Sequence, residues 1–458
     1  MIPTFINKWF SKKSRPENTS GQSVVLSRDQ HQVSRKQISS NALKVLNRLH
    51  RANFEAYLVG GGVRDILLGL QPKDFDIATN ARPEQIKRLF RNCRVIGRRF
   101  RLAHILFGHE IIEVATFRAS HSEESPHGQQ HESGILVRDN VYGSLEDDAR
   151  RRDFTINALY YSSSDFTVRD FTGGLEDLKK RQLRLIGDPT TRYGEDPVRM
   201  LRAVRLATKL ELAIEQSTAK PIASHAHLLK NVSTARLWDE SHKLLLAGYA
   251  KATVEALRQY GLFEYLFPAT DKALKIAPDD SLSTFINEAL DSTDERARQE
   301  KPITPAFLYA VFLWQPLQTR AEQLLAQGMS HNDAYHKAMG QVIQEQNSFI
   351  SIPKRFSMVI RDIWSLQPRL EYRNHKSFKL LEHPKFRAAY DFLVLRSKAD
   401  ETLASSATWW TRFQETGPEG QRSMTQALSK RKKPKKRPGG RKRNFRSKPS
   451  NKDSNRHS

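Results

Sequence analysis

Residues 57–65 read YLVGGGVRD, and residues 74–79 read DFDIAT. The first stretch is typical of a short buried strand that ends in a glycine turn and continues into a helix, and the second predicts another strand. Side chains two positions apart in a strand point to the same face, so Asp74 and Asp76 share a face while Phe75 points to the core. These stretches predict a mixed α/β domain with paired carboxylates beside a glycine turn.

The paired carboxylates indicate a metal site. Two acids on one face repel each other, and divalent cations relieve that repulsion. Carboxylate and phosphate oxygens are the ligands that Mg²⁺ prefers, so Asp74 and Asp76 predict a site for two Mg²⁺ ions, with Mn²⁺ as the alternative. The backbone amides of a glycine turn such as Gly60-Gly61 can hold phosphates beside these metals. The combination indicates phosphoryl transfer, whereas Asp-x-Asp alone also occurs in loops and calcium sites.

Two residues are candidates for a third carboxylate. Glu113 lies in the apolar run 111–117, where a charge is costly unless a metal or a base pairs with it. Asp153 follows three arginines at 150–152 and precedes an apolar strand. Its alternative interpretation is an ion pair with one of these neighbouring arginines.

Short apolar runs predict further strands at 105–107, 111–117, 158–161 and 167–170, and helical patterns appear at 43–49 and 84–90. Beyond residue 175 the pattern becomes helical. The expected fold class is therefore α+β, with a mixed α/β head followed by all-helical segments. The expected order is a disordered segment over 1–38, a head over 39–172, a helical neck over 173–270, a helical body over 271–416 and a disordered basic tail over 417–458.

The clearest helical pattern spans residues 195–210, with Pro197 in its first turn and an apolar side that includes Leu201 and Val204. A basic row follows another side at three- and four-residue steps: Arg199, Arg202, Arg205 and Lys209. Such a row is either a solvated face or a contact for a polyanion.

The charge balance favours a polyanionic partner. The formal net charge is +25, and residues 430–458 contain fourteen Lys or Arg against one acid. Nucleic acid is the first candidate partner and an anionic membrane surface the second. If the partner is a membrane, Trp9 and Phe10 could make a peripheral contact with the inner membrane. The competing interpretation is that these residues belong to a disordered N-terminal tail.

Cysteine usage and hydropathy favour a cytoplasmic location. The one cysteine, Cys93, excludes an intramolecular disulfide framework and a cysteine-rich zinc site. No window approaches twenty uncharged apolar residues, and the N-terminus lacks the pattern of a secretory signal. We therefore expect a soluble cytoplasmic protein.

Four segments together resemble the class II branch of the polymerase-β nucleotidyltransferase superfamily. They are GGGVRD at 60–65, DFDIAT at 74–79, RRDFTINAL at 151–159 and EDPVRMLRA at 195–203. That branch contains tRNA CCA-adding enzymes and bacterial poly(A) polymerases. A fifth segment, VIGRRFRLAHI at 95–105, resembles the motif that separates the poly(A) polymerases from the CCA-adding enzymes.

The resemblance implies roles for individual residues. Asp74 and Asp76 would be metal ligands and catalytic acids, Asp153 would belong to the catalytic set, and Glu113 would be a third carboxylate and metal ligand. Asp196 and Arg199, one helical turn apart, would present an edge to the incoming base. The residues implied in binding ATP are Gly60, Gly61, Arg64, Asp65, Arg152, Asn157, Asp196 and Arg199.

The family further implies a nucleotidyltransferase head and a template-independent reaction that adds AMP from ATP to single-stranded RNA 3′ ends, with two metal ions. Messenger and regulatory RNA would be the substrates, the protein would be a monomer, and RNA-decay machinery would be its partner. Two alternatives remain at this point. One is a tRNA CCA-adding enzyme, and the other is a catalytically silent RNA-binding adaptor.

Overall fold

The computed structural model describes residues 23–97, 101–119, 141–373 and 377–431. The chain divides into two compact units, the first ending at Ser365 and the second beginning at Leu366. This boundary falls inside the segment 271–416 that the sequence predicts to be one body. Within the described residues, no helix combines the length and the apolar character that crossing a lipid bilayer requires.

An eight-stranded sheet forms the head of the first unit. Its strands are β1 Val24–Leu26, β2 Ala56–Val59, β3 Asp76–Thr79, β4 Cys93–Ile96, β5 Leu102–Phe107, β6 Glu110–Thr116, β7 Leu159–Tyr161 and β8 Val168–Asp170. They lie in the order β1-β8-β7-β2-β3-β6-β5-β4, and only the neighbours β3 and β6 are parallel. The helices are α1 Ser40–Arg51, α2 Gly61–Leu67, α3 Pro83–Leu89 and α4 Leu145–Arg151, with a 3₁₀ turn at Thr155–Asn157.

Local sequence explains the elements that carry the glycine turn. The Ser39 side chain caps α1 by accepting hydrogen bonds from the amides of Asn41 and Ala42. All four residues of β2 are buried. The chain then turns at Gly60, whose φ of 74° and ψ of −134° suit glycine, and α2 begins at the next residue.

The register of the sheet sets the acids beside the glycine turn. Asp76 at the start of β3 pairs with Val59 at the end of β2 and, on its other side, with Glu113 in β6. The prediction that Asp74 lies within the strand is wrong, because β3 begins at Asp76. Asp74 lies just before it, and its carbonyl oxygen would be 3.4 Å from a Cβ atom placed on Gly62.

The prediction of disorder over residues 1–38 is wrong for the part that the structure describes. The strand β1 pairs with β8, so main-chain hydrogen bonds to the sheet edge order it. His31 is buried, and its Nε2 lies 2.8 Å from the carbonyl oxygen of Phe166. Three residues are too few for a periodic pattern, which is why the sequence did not predict this strand. Trp9 and Phe10 lie outside the described residues.

Helices make up most of the remainder of the first unit: α5 Gly174–Lys179, α6 Pro189–Glu195, α7 Val198–Leu210, α8 Gln216–Ala219, α9 Ile222–His225, α10 Thr234–Leu245, α11 Ala250–Gln259, α12 Phe263–Leu266, α13 Pro268–Ile276, α14 Ser281–Arg298, α15 Pro305–Phe312, α16 Trp314–Ala326 and α17 His331–Asn347. The expectation of an all-helical segment needs one correction. Two short parallel strands, β9 Gln182–Leu183 and β10 Ala213–Ile214, pair with each other.

The predicted helix over 195–210 is interrupted. Helix α6 ends at Glu195, Asp196 is extended with φ −149° and ψ 94°, and α7 begins at Val198. Proline restricts the residue before it to extended conformations, so Pro197 begins a new helix. Asp196 therefore lies outside α7, whereas Arg199 lies in its first turn.

The next helix, α18 Lys354–Glu371, contains the boundary between the units. It is followed in the second unit by α19 Ser377–Leu381, α20 Phe386–Ala399, α21 Ala404–Glu415 and α22 Pro418–Arg431. The core of this unit includes Phe386, Trp410 and Phe413. The prediction of disorder from residue 417 is wrong up to Arg431, because Met424 of α22 packs against that core. Residues 432–458 lie outside the described part of the chain.

Candidate active site

A cavity of about 420 Å³ lies between the head and the helices α7, α10 and α11. Gly60 and Gly61 contribute to its lining from the head, and Tyr249 contributes from just before α11. Its charged lining residues are Arg64, Lys73, Asp76, Arg152, Asp153, Arg202, Arg205, Lys209 and Lys243. Seven of these are cations and two are acids, so the cavity suits a polyanion such as a triphosphate.

Two arginines lie next to the glycine turn. A Cβ atom on Gly60 would be 3.7 Å from Nη1 of Arg152, and one on Gly61 would be 3.5 Å from Nη2 of Arg64. The positive φ of Gly60 adds backbone strain to any substitution there. Glycine at these two positions thus keeps open the space between the backbone and both guanidinium groups.

Arg152 is held in place by two buried partners. Its Nε and Nη2 donate to Oδ2 of Asp148 at 3.2 and 2.9 Å, and Nε also donates to the hydroxyl of Tyr160 at 2.9 Å. Burial alone would lower the pKa of Arg152, but Tyr160 and Asp148 raise it above its ordinary value. The guanidinium is thus charged and fixed, with Nη1 directed toward the glycine turn.

A chain of hydrogen bonds connects the glycine turn to α7. Arg64 donates through Nε to Asp65 at 2.8 Å and through Nη1 to Oδ1 of Asn157 at 2.6 Å. Asn157 in turn donates to Oδ1 of Asp153 at 3.2 Å. Arg202 of α7 donates to Oδ2 of Asp153 through Nε at 2.8 Å and Nη2 at 2.6 Å. Asp65 is not a lining residue of the cavity, and its observed role is to orient Arg64.

Asp153 is an ionised carboxylate in the lining of the cavity. Burial would raise its pKa, but the charge of Arg202 and the hydrogen bonds from Arg202, Asn157 and the Phe154 amide lower it to about 2. Both oxygens of Asp153 accept hydrogen bonds from these groups. Asp153 thus forms an ion pair with Arg202 rather than with an adjacent arginine, and its place in the catalytic set stays a prediction.

Asp76 lies close to two other acids. Although Asp76 keeps an exposed surface, loss of surrounding water, the charge of Glu113 and the charge of Asp74 raise its pKa to about 6, against the opposing effects of Arg152 and His104. Oε2 of Glu113 lies 3.2 Å from Nε2 of His104. An added cation would stabilise this group of acids, so the oxygen donors fit a divalent metal in their chemistry.

The acids alone do not form a complete metal site. Among the described residues, no three His, Cys, Asp or Glu side chains converge closely enough to hold an ion. Asp76 lines the cavity, whereas Asp74 and Glu113 are not among its lining residues. Mg²⁺ is commonly bound by one or two carboxylates together with substrate phosphates, so such a site would be completed by a nucleotide.

Asp196 and Arg199 are not brought to the cavity. Asp196 accepts a hydrogen bond from Nη2 of Arg236 at 2.8 Å. Arg199 donates through Nη1 to Glu195 and to the carbonyl oxygen of Arg192, at 2.8 and 2.7 Å. Asp196 lies just before helix α7, and its carbonyl oxygen accepts a hydrogen bond of 3.0 Å from the Arg199 amide, so the two residues remain one turn apart. That they face the incoming base stays a prediction.

The cavity contains residues that the sequence motifs did not reveal. Lys73 directly precedes Asp74, and this adjacency was an available signal. Lys243 and Tyr249 lie far from every motif, and only folding brings them to the cavity. Three of the four residues in the predicted basic row do line the cavity, namely Arg202, Arg205 and Lys209. Their position favours the polyanion interpretation over a solvated face.

Removal of the Arg202–Asp153 ion pair should cause a measurable loss of stability. Replacing Arg202 with Met leaves the partly buried Asp153 carboxylate, whose side chain is 15% exposed, without its cation. Breaking a buried pair costs about 3–5 kcal/mol, and the Arg202 side chain is 32% exposed, so we expect a loss of roughly 2 kcal/mol in the free energy of unfolding. Urea unfolding measures this loss, and Arg258→Met, at an exposed position of α11, is the matched control.

The difference in stability between wild type and Arg202→Met should depend on pH. The folded pKa of Asp153 is below its unfolded value, so the pair stabilises the fold above about pH 4 and loses this contribution as the pH falls toward 2. The difference between wild type and Arg202→Met should therefore shrink on acidification. Equal stabilities at pH 7 would contradict the assigned role of the pair.

Comparison with known proteins identifies the family. The model for the poly A polymerase head domain matches residues 56–184, that for the probable RNA and SrmB-binding site of polymerase A matches 211–274, and that for the polymerase A arginine-rich C-terminus matches 327–444. Poly(A) polymerase I of Salmonella typhimurium (strain LT2) is 50% identical over 428 residues, which covers 91% of this chain and 92% of the relative.

More distant matches come from the tRNA-processing enzymes. The CCA-adding enzyme of Lactobacillus helveticus is 35% identical over 251 residues, covering 54% of this chain and 61% of that enzyme. A solved tRNA nucleotidyltransferase, complexed with a primer tRNA and an incoming ATP analog, matches with a TM-score of 0.56 at 23% identity, covering 81% of this chain and all of that one. This last likeness concerns the fold alone. The head domain, the cavity and the near full-length relative together place the chain in the bacterial poly(A) polymerase family of nucleotidyltransferases.

Proposed function

We propose that this chain is a template-independent polynucleotide adenylyltransferase that adds AMP from ATP to RNA 3′ ends. The observation that carries the proposal is the cavity in which Asp76 and the glycine turn are surrounded by seven cations. A catalytically silent adaptor would need the cations but would have no use for Asp76 beside Asp74 and Glu113. The family supports AMP as the nucleotide that is added, because a relative named poly(A) polymerase I matches nearly the whole chain, whereas a relative named CCA-adding enzyme matches a smaller part of it.

The residues beside the glycine turn are suited to the triphosphate. Arg152 has Nε and Nη2 engaged by Asp148 and Tyr160, which leaves Nη1 next to Gly60 for a phosphate oxygen. Arg64 lies at the same turn and is fixed by Asp65 and Asn157. Because these partners hold both guanidinium groups before substrate arrives, little reorganisation is needed on binding.

We propose that Asp74 and Asp76 hold two Mg²⁺ ions, or Mn²⁺ as the alternative, with Glu113 as a third carboxylate. Divalent metal bound there would lower the pKa of the RNA 3′-hydroxyl and neutralise charge on the pyrophosphate. The reaction joins the RNA 3′-oxygen to the α-phosphorus of ATP. It breaks the bond from that phosphorus to the oxygen that bridges the α- and β-phosphates, so pyrophosphate leaves. Arg64 and Arg152 would orient the phosphates for this displacement.

The roles proposed for the segments follow from this site. The head over 39–172 would carry catalysis, the neck over 173–270 would contact the nucleotide and RNA, and the body over 271–416 would bind RNA. Asp196 and Arg199 would reach the incoming base only after a rearrangement that frees them from Arg236 and Glu195. We further propose a cytoplasmic monomer that tails messenger and regulatory RNA and so supplies substrates to RNA-decay enzymes.

Replacing Asp76 with Asn tests the metal-binding role. The amide keeps the size of the side chain but removes its charge, and we expect AMP addition to fall by about a thousandfold, the loss of several kcal/mol of transition-state stabilisation. The assay measures the initial rate of [α-³²P]ATP incorporation into an unstructured RNA, with RNA binding measured in parallel. RNA binding should persist in Asp76→Asn. The control Asp239→Asn alters an exposed residue that is not among the lining residues of the cavity, and a fully active Asp76→Asn would refute the assignment.

Removal of residues 432–458 tests the role of the basic tail. This deletion keeps helix α22 intact and removes twelve Lys or Arg and one Asp. Each phosphate contact on single-stranded nucleic acid contributes about 0.7 to the slope of log K against log salt concentration, so the slope should become shallower. A chain with a scrambled tail of the same composition should behave like wild type. An unchanged slope after deletion would show that the tail does not contact RNA.

A further inference from the structure

The helical side of the cavity is formed where α7 and α11 meet. Oγ1 of Thr208 and Oγ1 of Thr253 share a hydrogen bond of 3.1 Å, and both residues line the cavity. Tyr249 lies one turn before Thr253, and Arg205 and Lys209 lie on either side of Thr208 in the sequence. These three side chains, Arg205, Lys209 and Tyr249, are called the helical wall below.

Tyr249 contributes an aromatic residue to the lining of the charged cavity. Its relative exposure is 39%, and it is the one large exposed apolar residue among the described residues that also lines the cavity. Gly248 precedes it with φ +88°, so the chain turns sharply before α11 begins. An aromatic face next to cations is the arrangement on which nucleic-acid bases stack, and such stacking tolerates any base.

Arg205 and Lys209, like Lys73, differ from the other four cations of the cavity. Arg64, Arg152, Arg202 and Lys243 have acidic partners. In the described part of the chain, no ion pair is formed by Arg205 or Lys209. Burial and nearby cations lower the pKa of both side chains, against the opposing charges of Glu240 and Asp153 near Arg205 and of Asp65 near Lys209. Neither cation is held in an ion pair by the described residues, so both can bind an anionic ligand.

We propose that the helical wall binds the 3′ end of the RNA, with the terminal base on Tyr249 and the last phosphates of the backbone at Arg205 and Lys209. This rests on the proposed function and names the place of the second substrate. ATP is the less suitable occupant, because Arg64 and Arg152 at the glycine turn already provide cations for its triphosphate. Stacking on an aromatic ring tolerates any base, which fits a primer of any sequence.

The test uses the full-length protein and an unstructured RNA with 2-aminopurine as its 3′-terminal base. Stacking on Tyr249 should quench the fluorescence of this base. We expect Tyr249→Leu to abolish the quenching and to weaken RNA binding by roughly tenfold, whereas Tyr249→Phe, which keeps the ring, should behave like wild type. ATP affinity, measured by equilibrium dialysis without RNA, should be unchanged in both variants. Lys209→Gln should reduce the salt slope of RNA binding by about 0.7.

Two results would overturn the inference. One is wild-type quenching and RNA affinity in Tyr249→Leu. The other is a loss of affinity confined to ATP, which would place the ring against the nucleotide. Failure of the proposed function gives a different pattern, in which wild-type protein quenches the terminal base through Tyr249 but adds no AMP to any RNA.

Discussion

The ion pair between Arg202 and Asp153 is the interaction on which the arrangement of the site depends. Asp153 belongs to the head and Arg202 to helix α7, and the two form a pair of hydrogen bonds of 2.8 and 2.6 Å. Through Asn157, the same carboxylate is connected to Arg64 at the glycine turn. The cavity therefore has its head side and its helical side held together by charge.

A second constraint comes from the acids at the start of β3. The parallel register of β3 and β6 places Asp76 beside Glu113, and loss of surrounding water together with this neighbour raises the pKa of Asp76 to about 6. The fold therefore keeps an electrostatically unfavourable pair of acids, Asp76 and Glu113, close to the arginines that lie beside the glycine turn. Such an arrangement is costly without a function, and divalent metal and nucleotide phosphates would together stabilise it.

The sequence predicted the parts of the site that depend on local pattern. The glycine turn after a buried strand and the closely spaced acids Asp74 and Asp76 were predictable because each is a pattern of a few neighbouring residues. The partner of Asp153 was not predictable, because Arg202 lies 49 residues away. The helix break at Asp196 was missed because the apolar pattern outweighed the effect of Pro197. Strand β1 was missed because its stability comes from pairing with β8, and Tyr249 because no motif surrounds it.

The function proposed for this chain is the repeated addition of AMP to RNA 3′ ends. The most direct measurement incubates the purified protein with Mg²⁺ and an unstructured RNA primer, supplies each of the four nucleoside triphosphates singly, and resolves product lengths on a denaturing gel. Our account predicts a long ladder with ATP and little extension with the other three. Extension that requires CTP as well as ATP and stops after three nucleotides, or no extension at all, would contradict it.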